Sequence, residues 1–214
     1  MDIKDFRREY LLDGLHQDNL VTCPFSQFDT WFSQIVKTDI ADPSAMILST
    51  SDASGMPSSR IVLLKDYSEK GFIFYTNYDS EKGQDISENP NVSLLFAWPH
   101  IERQIRINGI AKKTDIETST KYFQSRPRDS QLSAWASRQS LEVKNRESLE
   151  EQLDTVTEKF KDIDKLPVPE FWGGYNVIPT YFEFWQGGAK RLHDRFAYEQ
   201  SDNKNSWDIK RLQP

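Results

Sequence analysis

The stretch Phe184-Trp185-Gln186-Gly187-Gly188-Ala189-Lys190-Arg191-Leu192-His193-Asp194-Arg195-Phe196 constrains this chain most. It reads as strand, Gly-Gly turn, strand, which commits the C-terminal region to antiparallel pairing. On an extended second strand Arg191, His193 and Arg195 leave from one face, with Leu192 and Asp194 on the other. Two guanidiniums and an imidazole side by side repel one another. Such a face is either an ordinary solvated hairpin surface or the edge of a site for a planar, anionic ligand. Trp185 just before the turn favours the ligand edge.

Upstream, the pattern continues in short strands. Ala45 to Ser51, Ser58 to Asp66, Phe72 to Thr76, Val92 to Trp98 and Gln104 to Lys112 are strand candidates; Gln104, Arg106 and Asn108 alternate with Ile105, Ile107 and Gly109 in the half-buried manner. Gly174 to Val177, Tyr181 to Trp185, Arg191 to Tyr198 and Trp207 to Leu212 complete the set. Helices are expected at Asp5 to Leu12 and at Pro24 to Thr38, where Phe25, Phe28, Trp31 or Phe32, and Ile35 recur at helical spacing. Further helices are expected at Ser80 to Glu88 with Ser80 as N-cap, at Asp115 to Gln124, from Asp129 or Ser130 through Trp135, and at Ser148 to Asp162. Short strands joined by turns, with a few helices between them, point to a mainly β (α+β) fold, an antiparallel barrel with peripheral helices. No GxGxxG or Walker string occurs, which excludes a doubly wound nucleotide fold.

The chain has 214 residues, enough for one domain, and a net charge of −6. That charge argues against sequence-independent binding of nucleic acid or anionic lipid, so the cations present act locally. One cysteine, Cys23, and three histidines, His16, His100 and His193, leave no disulfide framework and no metal-ligand spacing, so no metal is expected. The N-terminal residues lack the apolar run of a signal peptide, and no apolar run is long enough to span a bilayer. A reducing cytoplasm is the expected compartment.

Several groups of residues have chemical potential. Arg60 and Lys65 flank Ile61-Val62-Leu63-Leu64; five residues apart on a regular strand they face opposite ways, serving solvent or two different anions, unless a bulge brings them together. Tyr75-Thr76-Asn77-Tyr78-Asp79-Ser80-Glu81-Lys82 joins a strand end to a helix start, as a phosphate cradle does, although Ser and Asp are also ordinary caps. Tyr122 and Arg126 share a helix face, Pro127 turns the chain and Ser130 opens the next helix. The three either converge on one phosphate, or Arg126-Pro127-Arg128-Asp129 is a surface salt-bridge corner. Gln139-Ser140 by itself is an ordinary polar loop.

Taken together these strings resemble the pyridoxine/pyridoxamine 5′-phosphate oxidase family. The resemblance is carried by Arg7-Arg8-Glu9-Tyr10, Arg60 to Lys65, Phe74-Tyr75-Thr76-Asn77, Glu102-Arg103-Gln104 and Tyr122-Phe123 with Ser125-Arg126-Pro127-Arg128-Asp129-Ser130-Gln131. Phe171-Trp172-Gly173-Gly174, Glu183 to Phe196 and the Trp207 to Leu212 ending extend it. It runs in the family's order from about Arg7 to Pro214.

The resemblance implies a single FMN-binding split-barrel domain over 1–214. Residues 1–20 would close over the site, and residues 171–214 would complete barrel and site. It implies a homodimer with two FMN sites at the subunit interface. The implied reaction oxidises pyridoxamine 5′-phosphate or pyridoxine 5′-phosphate to pyridoxal 5′-phosphate while O2 becomes H2O2. By matching motif, Arg60, Ile61, Val62, Leu63, Leu64, Lys65, Tyr75, Thr76, Lys82, Gln104, Gln139, Ser140, Trp185 and Arg195 would bind FMN. Lys65, Tyr122, Arg126 and Ser130 would hold the substrate phosphate. Arg191 and His193, the implied catalytic pair, would flank the pyridine ring with Leu192 between them, and Arg7, Arg8, Glu9 and Tyr10 would cover it.

The implied hydride transfer runs from C4′ to the flavin, with Arg195 near the N1–C2=O edge and either His193 or a water taking the substrate proton. The alternatives are an oxidase of the same barrel acting on a substrate without phosphate, and a non-catalytic FMN- or pyridoxal-phosphate-binding protein. One position departs from the family pattern: where an Arg-Lys pair usually follows the Ser of the phosphate loop, this chain has Glu81-Lys82. A carboxylate there implies weaker FMN retention unless it points away or another cation compensates.

Overall fold

The computed structural model describes residues 2–5, 8–12, 14–202 and 206–214. Arg7 lies outside these residues.

The first long element is helix α1, Pro24–Ile35. Proline at its first position costs no hydrogen bond, and Phe28, Trp31 and Ile35 fall on one buried face as the spacing predicts. Strands β1 (Ala45–Ser51), β2 (Pro57–Leu63), β3 (Asp66–Ser68) and β4 (Gly71–Asn77) follow, then helix α2 (Glu81–Glu88). Ser80 caps α2 by accepting from Gly83 N. Strands β5 (Asn91–Trp98) and β6 (Arg103–Lys113) lead to three helices, α3 (Ile116–Ser125), α4 (Arg128–Ala136) and α5 (Arg146–Lys159). The chain closes with strands β7 (Trp172–Gln186), β8 (Asp194–Gln200) and β9 (Trp207–Leu212).

All nine strands belong to one sheet, in the order β2-β1-β5-β6-β7-β4-β3, with β8 on β7 and β9 on β8. Every pairing is antiparallel. The two ends of that order, β2 and β3, are consecutive in the chain. The link between them is bonded on both sides: Leu64 N donates to Ser44 O, and Lys65 N donates to Ile73 O. The sheet therefore curls until its ends meet, the split-barrel form of the expected architecture. Its interior is aromatic. Phe28, Phe72, Phe74, Phe96, Phe182, Phe184 and Phe196 are fully buried, and pairs such as Phe28 with Phe72 meet edge-on with centroids 4.9 Å apart. Each such contact adds about 0.5–1.5 kcal/mol to simple burial. A second, smaller cluster of Phe123, Leu132, Phe160, Leu166 and Trp172 seats the three helices against β7, with Leu153 and Val156 of α5 packed on it.

Four expectations are corrected. Asp5 to Leu12 is not a helix among the described residues: Ile3–Asp5 is one 3-10 turn, and Leu12 N donates to the Glu102 carboxylate instead of to a helical carbonyl. Neither Asp129 nor Ser130 caps α4, whose N-cap is Pro127. The expected strands at Gly174 and Tyr181 are one 15-residue strand, β7, because Pro179 sits where the β6 register shifts between Asn108 and Gly109; a bulge tolerates a missing N–H. The strand expected from Arg191 begins only at Asp194. Ala189–Arg191 forms a 3-10 turn in which Lys190 and Arg191 take φ of 55° and 62°.

Candidate active site

A cavity of about 680 Å³ opens between β2, β4, α2, α3 and α4. This is within the range of small-molecule sites. Its walls carry Arg60, Lys65, Lys82 and Arg126, and among the described residues no Asp or Glu side chain lines it. Four cations without a lining carboxylate, in a chain of net charge −6, make this a place for an anion.

Arg60 and Lys65 share this cavity despite their odd spacing. The strand alternation ends where the chain leaves β1 and crosses to β4 at Leu64 and Lys65, turning Lys65 inward. Arg60, Ile61, Val62, Leu63 and Lys65 all line the wall. Leu64 does not: it is 5% exposed and its side chain packs in the barrel core.

At one side of the cavity Lys82 is buried at the start of α2. Its Nζ donates to Gln139 Oε1 at 2.8 Å and to Ser80 Oγ at 3.2 Å, both uncharged acceptors. Thr76 Oγ1 donates to the same Gln139 oxygen at 3.2 Å. Burial holds the Lys82 ammonium below the ordinary lysine range, and nearby Arg60 pushes it the same way. An ammonium in that condition gains from any anion placed beside it.

At another side Tyr122 stacks on Tyr75, centroids 3.9 Å apart and 15° from parallel, with Trp172 parallel beyond them. Burial raises Tyr75 to about 12 and also raises Tyr122, so both phenols stay protonated and able to donate. Arg126 leaves the end of α3 and lies over the Trp172 ring, 4.9 Å from its centroid. Its Nη1 is buried without a hydrogen-bond partner among the described residues, and burial lowers its basicity. A buried guanidinium nitrogen left unpaired is costly and rare. An anionic oxygen arriving there would satisfy it. Ser130 lines the same wall.

The sequence reading missed Trp172, Asn77, Pro127, Ser133, Ala134 and Ser137, which also line the cavity. The signal for the α4 residues was available: Ser130, Ser133 and Ser137 fall at i, i+3 and i+7, one helix face of small polar side chains.

The remaining expected site residues do not line this cavity. Gln104 and Trp185, paired across β6 and β7, line a separate hollow of about 140 Å³ with Arg8 and Tyr10. Arg195 pairs with Trp185 across β7 and β8. Arg191 and Leu192 are exposed beyond the Gly-Gly turn, and Arg191 has no hydrogen bond or ion pair among the described residues. Ser140 is exposed, with φ of 72°. Glu9 is exposed as well. Tyr10 packs edge-on against Trp185 and His193, centroids 5.8 and 5.4 Å away. Leu15 N donates to Asp194 Oδ2 at 3.0 Å and fastens the N-terminal segment to β8.

Arg195 needs no ligand to offset its charge. Its Nε donates to Glu183 Oε1 at 2.7 Å, while Arg106 Nη2 donates to Glu183 Oε2 at 2.7 Å. Burial pulls the Glu183 carboxyl upward, but the two guanidiniums outweigh it and the net direction is down. His193 Nδ1 accepts from Gly188 N at 3.1 Å. A neutral imidazole so engaged carries its proton on Nε2 and presents a donor outward.

Among the described residues no cluster of three His, Cys, Asp or Glu side chains is placed to hold a metal ion, and no helix is long and apolar enough to cross a membrane.

Known proteins resemble this chain along its length. Residues 32–160 match the family described as pyridoxamine 5′-phosphate oxidase. Residues 172–214 match the pyridoxine 5′-phosphate oxidase C-terminal dimerisation region. The chain is 50% identical over 215 residues to the pyridoxine/pyridoxamine 5′-phosphate oxidase of Hahella chejuensis, with full coverage of both. It is 49% identical over 214 residues to that of Teredinibacter turnerae, again with full coverage of both. Among solved structures, PhzG from Burkholderia lata, in complex with tetrahydrophenazine-1-carboxylic acid, superposes with a TM-score of 0.86 at 29% identity, covering 95% of this chain and 99% of that one. An FMN-binding protein of Nostoc punctiforme, 14% identical, shares the fold with a TM-score of 0.69, covering 90% of this chain and 98% of that one. On its matched length and its full-length relatives, this chain belongs to the pyridoxamine 5′-phosphate oxidase family.

Proposed function

We propose that this protein is an FMN-dependent oxidase that converts pyridoxamine 5′-phosphate and pyridoxine 5′-phosphate to pyridoxal 5′-phosphate. The observation that carries the reading is the cavity with four cations and no lining carboxylate, one of those cations holding an orphaned, buried nitrogen. Two phosphate esters bring about −3 to −4 of charge, which Arg60, Lys65, Lys82 and Arg126 are placed to offset. Full-length relatives that carry the oxidase name favour catalysis over the alternative of a binding protein.

The residues present fit FMN. Arg60, Lys82, Thr76 and Gln139 would take its phosphate end, and Ile61, Val62 and Leu63 offer apolar and backbone contacts along one wall. When bound, FMN supplies the acceptor for the two electrons and returns them to O2, which leaves as H2O2. Lys65, Tyr122, Arg126 and Ser130 would hold the substrate phosphate, with Trp172 behind Arg126. Gln104, Trp185, Arg191, His193 and Arg195 sit apart from this cavity in one chain, and they would face it in a homodimer. The match of residues 172–214 to a dimerisation region supports that assembly. So does the edge strand β2, which exposes Ile61 at 71% beside the cavity.

In the partner-facing group, Arg195 brings a positive charge already fixed by Glu183. Arg191, free of protein partners, would orient the substrate ring, where small displacements cost large factors in rate. His193, its Nδ1 engaged by Gly188, would donate from Nε2 to the substrate's ring substituent. That leaves a water as the favoured acceptor for the proton lost from the amine or alcohol.

The test is anaerobic addition of pyridoxamine 5′-phosphate to the flavin-loaded protein. Bleaching of the yellow colour, followed by its return on admitting air with H2O2 released, is expected. Flavin that binds but stays oxidised would reduce the protein to a carrier.

A further inference from the structure

Two of the cavity's cations, Arg60 and Lys82, belong to a quartet of charges that cancel, its two carboxylates standing outside the lining. Arg60 lies between two carboxylates, with Nη2 3.6 Å from Glu81 Oε1 and 3.8 Å from Asp85 Oδ2. Lys82 follows Glu81 at the start of α2, within electrostatic reach of all three. Two cations and two anions sum to zero before any ligand arrives.

The two carboxylates differ in how firmly they are held. Asp85 is 7% exposed and accepts from Thr50 Oγ1 at 2.5 Å; Thr50 Oγ1 in turn accepts from Arg60 Nη1 at 2.6 Å. That side of the guanidinium is locked into the barrel. On the other side Ser58 Oγ accepts from Arg60 Nη2 at 2.7 Å and donates to Glu81 Oε1 at 2.7 Å. The Glu81 side chain is 61% exposed, so only a serine hydroxyl and an ion pair keep it there.

We infer that Glu81 sets the affinity of this subsite for a phosphate monoester, acting as an internal counter-charge on Arg60 that an incoming phosphate must overcome. The inference rests on the reading of this cavity as the FMN site and assigns Glu81 an affinity-determining role within it. A phosphate dianion drawn to Lys82 and Arg60 meets Glu81 as a like charge beside the same guanidinium. Removing that carboxylate leaves Arg60 and Lys82 opposed by Asp85 alone, a net +1 that favours a dianion. The effect belongs to the phosphate and not to the isoalloxazine, because the partners that hold Glu81 are Arg60 and Ser58, at the phosphate end.

The test compares flavin dissociation from full-length protein loaded with FMN or with riboflavin, read as recovery of free-flavin fluorescence on dilution. In Glu81→Gln, which keeps the length and polarity of the side chain, the FMN Kd should fall about fivefold, the order expected for an exposed carboxylate acting on a partly buried site. The riboflavin Kd should stay unchanged, and the gain in FMN affinity should shrink as salt is raised. Glu150→Gln on α5 serves as the control for global charge and should move neither constant. An FMN Kd that is unchanged or weaker in Glu81→Gln overturns the inference. An equal shift for FMN and riboflavin also overturns it, since the effect would then lie in the ring site or the fold. Failure of the unmodified chain to retain either flavin is a different result: it removes the cofactor reading itself.

Discussion

Arg195 Nε and Glu183 Oε1 stand 2.7 Å apart across β7 and β8, and Arg106 takes the other oxygen of the same carboxylate. Glu183 is 4% exposed, while the Arg195 and Arg106 side chains keep 29% and 44% of their surface in solvent. Removing Glu183 forfeits two charge-assisted hydrogen bonds but leaves guanidiniums that solvent still reaches, a loss of about 1–3 kcal/mol. Glu183→Ala should therefore lose stability on that scale. The carboxyl is held below its ordinary value, so its contribution is fully present above the unfolded glutamate pKa of about 4.3 and is lost as pH falls through the folded value. Chemical denaturation of the parent and of Glu183→Gln from pH 7 to pH 3 should show a stability gap that narrows below about pH 4.3. A gap that stays constant throughout would show that the carboxylate charge is not what holds the pair.

Arg126 over Trp172 gives a second prediction. A charged hydrogen bond to the substrate phosphate is worth about 1.5–3 kcal/mol, so Arg126→Gln should raise KM for pyridoxamine 5′-phosphate by about tenfold to a hundredfold, with a smaller change in kcat. Trp172→Leu, which removes the platform and leaves the charge, should raise KM less while flavin content holds. Steady-state kinetics with parallel flavin spectra decide. Equal losses of kcat in both variants with unchanged KM would separate Arg126 from phosphate binding.

Lys82 carries a cost in the ligand-free protein. Its folded pKa is lowered by burial, so the folded chain binds that proton less tightly than the unfolded chain. The penalty is present at neutral pH and disappears as pH rises from the folded value toward the ordinary lysine value of about 10.4. Lys82→Met should raise the Tm of flavin-free protein at pH 7 by about 2–4 °C and weaken FMN retention by tenfold or more. Thermal melts with and without FMN check both halves. A variant that loses Tm without flavin would contradict the desolvation argument.

Much of the frame was legible in the sequence because its periodicities are local. The Phe28, Trp31, Ile35 stripe marks α1, Ser80 marks the start of α2, and the alternation from Gln104 marks β6. The misreadings come from tertiary context. Pro179 suggests a break, yet the bulge opposite Gly109 absorbs it and β7 runs on. Alternation around His193 suggests a strand from Arg191, yet positive φ at Lys190 and Arg191 delays it to Asp194. Arg60 and Lys65 seem opposed until the crossover at Leu64 turns one of them. Glu183 reads as one more alternating strand residue, and only the register of three strands reveals that it neutralises Arg195. The separation of the expected site residues into two regions of one chain has no local signature, because it depends on how distant strands and helices pack.

That division is tested most directly by mixing two inactive proteins. Arg126→Ala disables the cavity side and Arg191→Ala the hairpin side. Co-refolded in equal amounts, the two chains form mixed dimers in which one site carries both defects and the other carries neither. Assayed with substrate well below the raised KM, where each preparation is nearly inactive alone, random pairing should restore about a quarter of the parent rate per chain. Activity no higher than the average of the separate variants would place both halves of the site within one chain and contradict the account.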